Sequence, residues 1–175
     1  MEPLDPPAMT TDEALREIEH RLGATPRATH SRFVGHAMRR VAESLREDET
    51  VWELTGLCHD LDFEETAADR SRHGLVAAVW LAGRLPEDAL QAIRAHDHRT
   101  GAVCDTPLGI ALRMTDALAV LRDDLGPDLP ALLEKPDELR RRCADRPWLP
   151  KLLLDGAETL AVPLAKLGDI ADAAE

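Results

Sequence analysis

Apolar residues recur along most of the chain at the three- to four-residue spacing of amphipathic helices. Between His30 and Leu45 the apolar positions fall on one face, and they are Phe33, Val34, Ala37, Met38, Val41 and Ala42. This spacing predicts one helix with one buried stripe. The next segment, Val51–Leu61, is apolar nearly all round, which predicts a central, buried helix.

The same spacing predicts helices over most of the remaining chain. They lie at about 10–23, 72–84, 87–97, 107–123, 137–145 and 151–173, and Pro163 is expected to start a new helix or to kink the last one. No segment alternates apolar and polar residues for long, so no strand is predicted. The pattern predicts an all-α fold.

One stretch has the composition of a linker. Gly126–Pro136 contains three prolines and one glycine, which are residues that interrupt helices. We therefore expect a single helical domain over residues 1–175, with a core at about 25–123 and a C-terminal helical appendage at about 127–175.

Charge and composition exclude several classes of partner. The chain has 33 acidic and 21 basic residues and a net charge of −12, so a nucleic-acid backbone would be repelled on average. No apolar stretch approaches the roughly 18–20 residues of a membrane span, and Met1–Pro7 does not resemble a signal peptide. The three cysteines, without CxxC spacing, fit reduced thiols. We expect a cytoplasmic protein.

Helix faces separate the histidines that point inward from those that face water. His36 falls among arginines and a glutamate and is expected to face solvent, as are His20 and His98. The inward set comes from five predicted helices and comprises His30, His59, Asp60, His73, His96 and Asp116. Buried ionisable groups are costly unless they pair or bind a metal. Imidazole and carboxylate suit Zn, Fe, Mn, Co or Ni, so the set predicts a transition-metal site.

The order His30, His59-Asp60, Asp116 resembles the H…HD…D signature of the HD-domain superfamily of metal-dependent phosphohydrolases. Further blocks are similar to those of small bacterial HDIG-type proteins, namely Trp52–Leu54, Gly56–Glu64, Arg72–Gly74 and Ala92–Asp97. The resemblance covers about residues 25–123 and implies an HD-domain helical bundle with a C-terminal extension. Two positions depart from it, because Asp62 stands where many relatives have Gly and Asp97 where they often have Asn.

The resemblance also implies a ligand set. One divalent ion would be held by His30, His59, Asp60 and Asp116. The other two histidines, His73 and His96, resemble those of a subgroup with two ions, in which Asp60 bridges. The alternative is a single ion, with His73 and His96 binding substrate phosphate instead.

The implied activity is hydrolysis of a small phosphate ester or nucleotide. The metal would lower the pKa of bound water and neutralise a phosphoryl oxygen. We expect Asp60, Asp62 and Glu64 to serve in catalysis, since a carboxylate near the metal can orient water or accept its proton. We expect Arg94 and Arg99 to bind substrate phosphate through bidentate hydrogen bonds.

Two other functions remain open at this point. Some HD-fold proteins use the same six ligands for a mixed-valence di-iron centre that oxidises C–H bonds, although the absence of tyrosine counts against those with a tyrosine gate. A non-catalytic module that binds a nucleotide is the third reading, and the complete ligand set argues against it. The exposed part of Leu152–Leu167 is a candidate interface for a homodimer.

Overall fold

Helices account for nearly all the regular structure that the computed structural model describes, which covers residues 8–173. They are α1 (Thr11–Leu22), α2 (Pro26–Leu45), α3 (Glu49–Cys58), α4 (Leu75–Trp80), α5 (Glu87–Ala95), α6 (Pro107–Leu125), α7 (Leu129–Leu133), α8 (Pro136–Arg142), α9 (Trp148–Thr159) and α10 (Leu164–Ala173). Within residues 8–173 there is no strand, only an isolated bridge between Ala82 and Leu85. The predicted all-α fold is confirmed. Met1–Pro7, where no signal peptide is predicted, lies outside the described residues.

Capping residues set the starts of the first helices. Thr10 and Glu13 form a reciprocal capping box at α1. The Thr25 side chain accepts from the backbone N–H of Ala28, the third residue of α2, whose first residue is Pro26. Asp48 caps α3 in the same way. These contacts satisfy N–H groups that have no partner within the helix.

The chain divides into two compact units, a first unit that ends at Leu112 and a second unit that begins at Arg113. The boundary therefore falls within α6 and not in Gly126–Pro136. That stretch is largely helical, with a 3₁₀ turn over Gly126–Asp128 followed by α7. The arrangement of one domain with an appendage stays a prediction.

In the first unit, α3 is the central helix. It packs most extensively against α2 and also contacts α1 and α5, and seven of its ten residues are buried. A Cβ atom at Gly56 would lie 2.8 Å from the Cα of Gly35, so the α2 and α3 backbones are in direct contact at this point. The close crossing brings the end of α3 beside the start of α2.

In the second unit, α7 packs against α8 and α10, and α8 contacts α9. Pro163 separates α9 from α10, as the sequence predicts, because proline lacks the N–H that would continue the helix. Leu153 and Leu167 are fully buried, whereas Leu152 is exposed. Within residues 8–173, no helix is both long enough and apolar enough to cross a bilayer.

The segment before α4 differs from the predicted helix over 72–84. Arg70–Arg72 forms a 3₁₀ turn, and α4 begins only at Leu75. Gly74 has φ = 85°, and a Cβ there would lie 2.4 Å from the carbonyl oxygen of Ile93. Only glycine permits both the left-handed backbone and this approach to α5. His73 therefore lies in an extended turn ahead of α4, which corrects its predicted place on a helix face.

Candidate metal centre

Four histidines and one aspartate of the first unit meet at the ends of its helices. His30 lies on the inner face of α2, His59 and Asp60 follow α3 directly, His73 precedes α4, and His96 follows α5. Each of the five is buried. Neighbouring rings of the four histidines have centroids 4.8–5.4 Å apart, so the imidazoles form one continuous cluster.

The Asp60 carboxylate lies among the four rings and divides them into two pairs. Its Oδ2 atom is 3.6 Å from His30 Nε2 and 3.3 Å from His59 Nε2. Its Oδ1 atom is 3.0 Å from His73 Nε2 and 3.4 Å from His96 Nε2. Each carboxylate oxygen therefore faces two imidazole nitrogens.

Backbone carbonyls select the tautomer of two of these histidines. His59 Nδ1 lies 2.7 Å from the carbonyl oxygen of Gly56, and His96 Nδ1 lies 2.7 Å from that of Ile93. A carbonyl can only accept, so each Nδ1 carries a proton and donates it. In the neutral ring Nε2 then keeps its lone pair, and this is the atom that binds a metal.

Asp62 orients His73 in a similar way, but with a carboxylate. His73 Nδ1–H donates to Asp62 Oδ1 at 2.8 Å. Asp62 Oδ2 accepts from the backbone N–H groups of Gly74 and Ala77, at 2.8 and 2.9 Å. Both oxygens of this fully buried side chain are thus in use. The geometry makes Asp62 a positioning residue for His73, and its expected service in catalysis stays a prediction.

Of the other expected catalytic residues, Glu64 is exposed on the turn that follows Asp60. Its service as a proton acceptor stays a prediction. Asp116 belongs to the second unit, where it is half-buried on α6. Its role as a metal ligand likewise stays a prediction.

The cluster shifts the pKa values of its own members. Burial by itself raises the pKa of Asp60, but the charge of His59 and the other imidazoles around the carboxylate hold that pKa well below its ordinary value. Burial lowers the pKa of His73, but its bonds to Asp60 and Asp62 outweigh this and raise it to about 9. At neutral pH in the metal-free protein, these shifts favour an ionised Asp60 beside a protonated His73.

The donor set fits a transition-metal ion. One ligand atom from each of His59, Asp60 and His96 lies within 4.8 Å of the others. The donors from His59 and His96 are imidazole nitrogens, and the tautomer of each ring is set by a backbone carbonyl. Nitrogen and oxygen donors of this kind suit divalent first-row metals. These buried groups could hold a metal ion.

The remaining histidines lie apart from this cluster. His20 and His98 are exposed, as expected. His36 is half-buried, which corrects the expectation that it faces water, and its Nε2 is buried without a hydrogen-bond partner. Burial and the nearby Arg40 lower its pKa.

The two arginines expected to bind phosphate are engaged elsewhere. Arg94 donates to Glu87 and to Gln91, at 2.5 and 3.2 Å. Arg99 makes a bidentate pair with Asp97, which lowers the pKa of Asp97 to about 2 against the effect of its burial. Their guanidinium groups are already neutralised by carboxylates, so this geometry does not support the phosphate-binding assignment.

Sequence reasoning missed a different arginine that touches the cluster. Arg27 Nη1 donates to Asp60 Oδ2 at 2.8 Å. Arg27 stands three residues before His30 on α2, and residues three apart share a helix face. This three-residue spacing from His30 is the feature of the sequence that could have indicated a place for Arg27 at the cluster.

Comparisons with models of protein families, with curated proteins and with solved structures find no match. The assignment to the HD-domain superfamily therefore depends on the motifs described above and stays a proposal.

Proposed function

We propose that this protein is a metal-dependent phosphohydrolase of the HD-domain type, which acts on a small phosphate ester or nucleotide. The observation that carries the proposal is the position of Asp60, whose two oxygens each face a pair of histidine Nε2 atoms. This is the arrangement that a carboxylate shared by two ions requires. Two-ion sites with the ions roughly 3.5–4 Å apart are typical of phosphatases and related hydrolases.

The residues sort naturally into two sets of ligands. His30 and His59 would hold one ion, and the resemblance adds Asp116 to this set. His73 and His96 would hold the other. Asp60 would be common to both, and Mn, Fe, Co, Ni or Zn suit these donors.

Bound ions of this kind lower the pKa of water and neutralise charge on a phosphoryl oxygen. The chain supplies the orientation. The carbonyls of Gly56 and Ile93 keep His59 and His96 in the tautomer that presents Nε2, and Asp62 does the same for His73. Glu64 is the remaining candidate to accept a proton from water.

The partners proposed for this activity follow from charge. The net charge of −12 favours a small phosphorylated substrate drawn to the metal centre over a nucleic-acid backbone. We propose a cytoplasmic location without membrane attachment, in keeping with three buried cysteine thiols. A homodimer through the exposed part of Leu152–Leu167 remains part of the proposal.

The experiment combines metal analysis with an activity screen. We expect about two transition-metal ions per chain, following the two-ion pattern, and release of phosphate from members of a panel of phosphomonoesters and nucleotides in Mn, Co or Ni. The Asp60→Ala variant should lose both metal and activity. Two irons with a visible chromophore and no phosphate release would favour the oxygenase, and absence of metal would favour the binding module.

Metal number is tested separately with His73→Ala and His96→Ala. Each removes one ligand of the second ion, so the stoichiometry should fall from two ions to one. A constant value of one ion, with activity lost, would instead make these histidines substrate ligands of a mononuclear enzyme.

A further inference from the structure

Arg27 connects the buried carboxylate of the metal centre to the solvent. Its bond to Asp60 Oδ2 is the one hydrogen bond that its side chain makes within residues 8–173. The Asp60 side chain is only 2% exposed, whereas that of Arg27 is 30% exposed. A guanidinium has five N–H donors, so most of the donors of Arg27 remain available on the solvent side.

A second arginine lies against the same aromatic ring. The guanidinium carbons of Arg27 and Arg70 are each 3.9 Å from the centroid of the Phe63 ring. The distance between the two guanidinium carbons is therefore at most twice this value. Stacking on an aromatic ring restrains both groups. Phe63 thus holds two positive charges together beside the cluster.

The charge of Arg70 is not balanced by an acid. Its Nη1 donates to the carbonyl oxygen of Phe63 at 2.6 Å and to Thr66 Oγ1 at 3.4 Å, and both acceptors are neutral. Within residues 8–173 it forms no ion pair with a carboxylate, in contrast to Arg94 and Arg99. Arg27 is paired with Asp60, so Arg70 carries the uncompensated positive charge beside Phe63, and an anion bound next to it would be stabilised.

We propose that Arg27 and Arg70, held against Phe63, bind the phosphate group of the substrate beside the metal centre. The inference rests on the proposed phosphohydrolase function and specifies its substrate class. A phosphomonoester carries close to two negative charges at neutral pH, because its second pKa is about 6. Arg70 supplies an uncompensated positive charge, Arg27 supplies further N–H donors, and the planar forks of both match phosphate oxygens. The pair therefore favours a monoester dianion over a diester with a single charge.

The test measures binding of inorganic phosphate to the metal-loaded protein by isothermal titration calorimetry, with metal content determined for every sample. We expect Arg27→Gln and Arg70→Gln each to weaken phosphate binding by about 10- to 100-fold, the effect of losing a charge-assisted hydrogen bond. Arg40→Gln is the matched control, because Arg40 is an exposed residue of α2 paired with Glu43. It should leave phosphate binding unchanged.

If Arg27→Gln also loses metal, the result for Arg70→Gln decides the test. Arg70 bonds to Phe63 and Thr66 and stacks on Phe63, and none of these is a proposed metal ligand. The proposal is overturned if the metal-loaded wild-type protein binds no phosphate. It is also overturned if Arg70→Gln keeps its metal and binds phosphate as tightly as the wild type.

Failure of this inference is distinguishable from failure of the proposed function. Phosphate binding that depends on both arginines, without hydrolysis of any ester, would retain the anion site and reject the phosphohydrolase. Hydrolysis with unchanged KM in both variants would retain the phosphohydrolase and reject the anion site.

Discussion

Replacing Asp62 with Asn tests how the chain prepares His73 for metal. Asn has the shape of Asp, but one oxygen becomes an NH₂ donor. Two backbone N–H groups point at Asp62 Oδ2, so the amide oxygen of Asn must take that position. The NH₂ group then faces His73 Nδ1, which has to become an acceptor. The ring proton moves to Nε2, the atom that faces Asp60, and His73 can no longer bind an ion there.

The expected magnitude follows from the position of Asp62 behind a metal ligand. Loss of such a partner typically lowers metal affinity by about 10- to 100-fold, or about 1.4–2.7 kcal/mol in binding free energy. We therefore expect Asp62→Asn to weaken the second ion by this factor while His30 and His59 keep the first.

The assay is a metal titration against a competing chelator, with circular dichroism to verify the fold. Asp69→Asn is the control, because Asp69 is an exposed carboxylate whose side chain bonds to Ser71 and to no other residue within 8–173. It should bind metal like the wild type. If Asp62→Asn binds two ions with wild-type affinity, the argument from the tautomer of His73 is refuted.

Three further predictions follow from the same structure. His30→Ala should abolish binding of the first ion, whereas His36→Ala should leave metal content near normal, and the reverse result would overturn the phase assigned to α2. Gly74→Ala should lower the free energy of unfolding in urea by about 2–5 kcal/mol, the sum of left-handed strain and overpacking against α5. Gly83→Ala, with φ = 75° and open space around it, should cost only the strain of about 1–2 kcal/mol, and equal losses would contradict the close contact at Gly74. In the metal-free protein the pKa of His73 is raised above its ordinary 6.5 to about 9. The stabilisation that protonated His73 contributes is therefore complete below pH 6.5 and should be lost as the pH rises from 6.5 to 9. Urea unfolding midpoints measured across this range should show the decline, and His73→Ala should flatten it.

Much of the fold and part of the candidate site could be predicted because both depend on local periodicity. The apolar stripe of α2 placed His30 inward, and a segment apolar all round became the central helix α3. The Pro163 break also followed from the chemistry of a single residue. Burial of an ionisable residue on an apolar face is a local property, so no knowledge of distant contacts was needed.

Other features escaped prediction because they depend on where distant segments meet. The same periodicity extended a helix through His73, whereas a close approach of Gly74 to α5 ends it and turns His73 toward Asp60. The sequence predicts that Arg94 binds phosphate, whereas in the folded chain Arg94 pairs with Glu87.

The sequence by itself determined the helical architecture and the inward direction of His30, because helix phase is set by residues three or four positions apart. Only the tertiary structure decided that Asp60 lies between two pairs of imidazoles, that Asp62 supports His73, and that Arg27 reaches the cluster. These contacts join segments up to 36 residues apart. No local pattern encodes such distances, because they result from the close crossing of α2 with α3 and from the turn before α4, both of which glycine backbones permit.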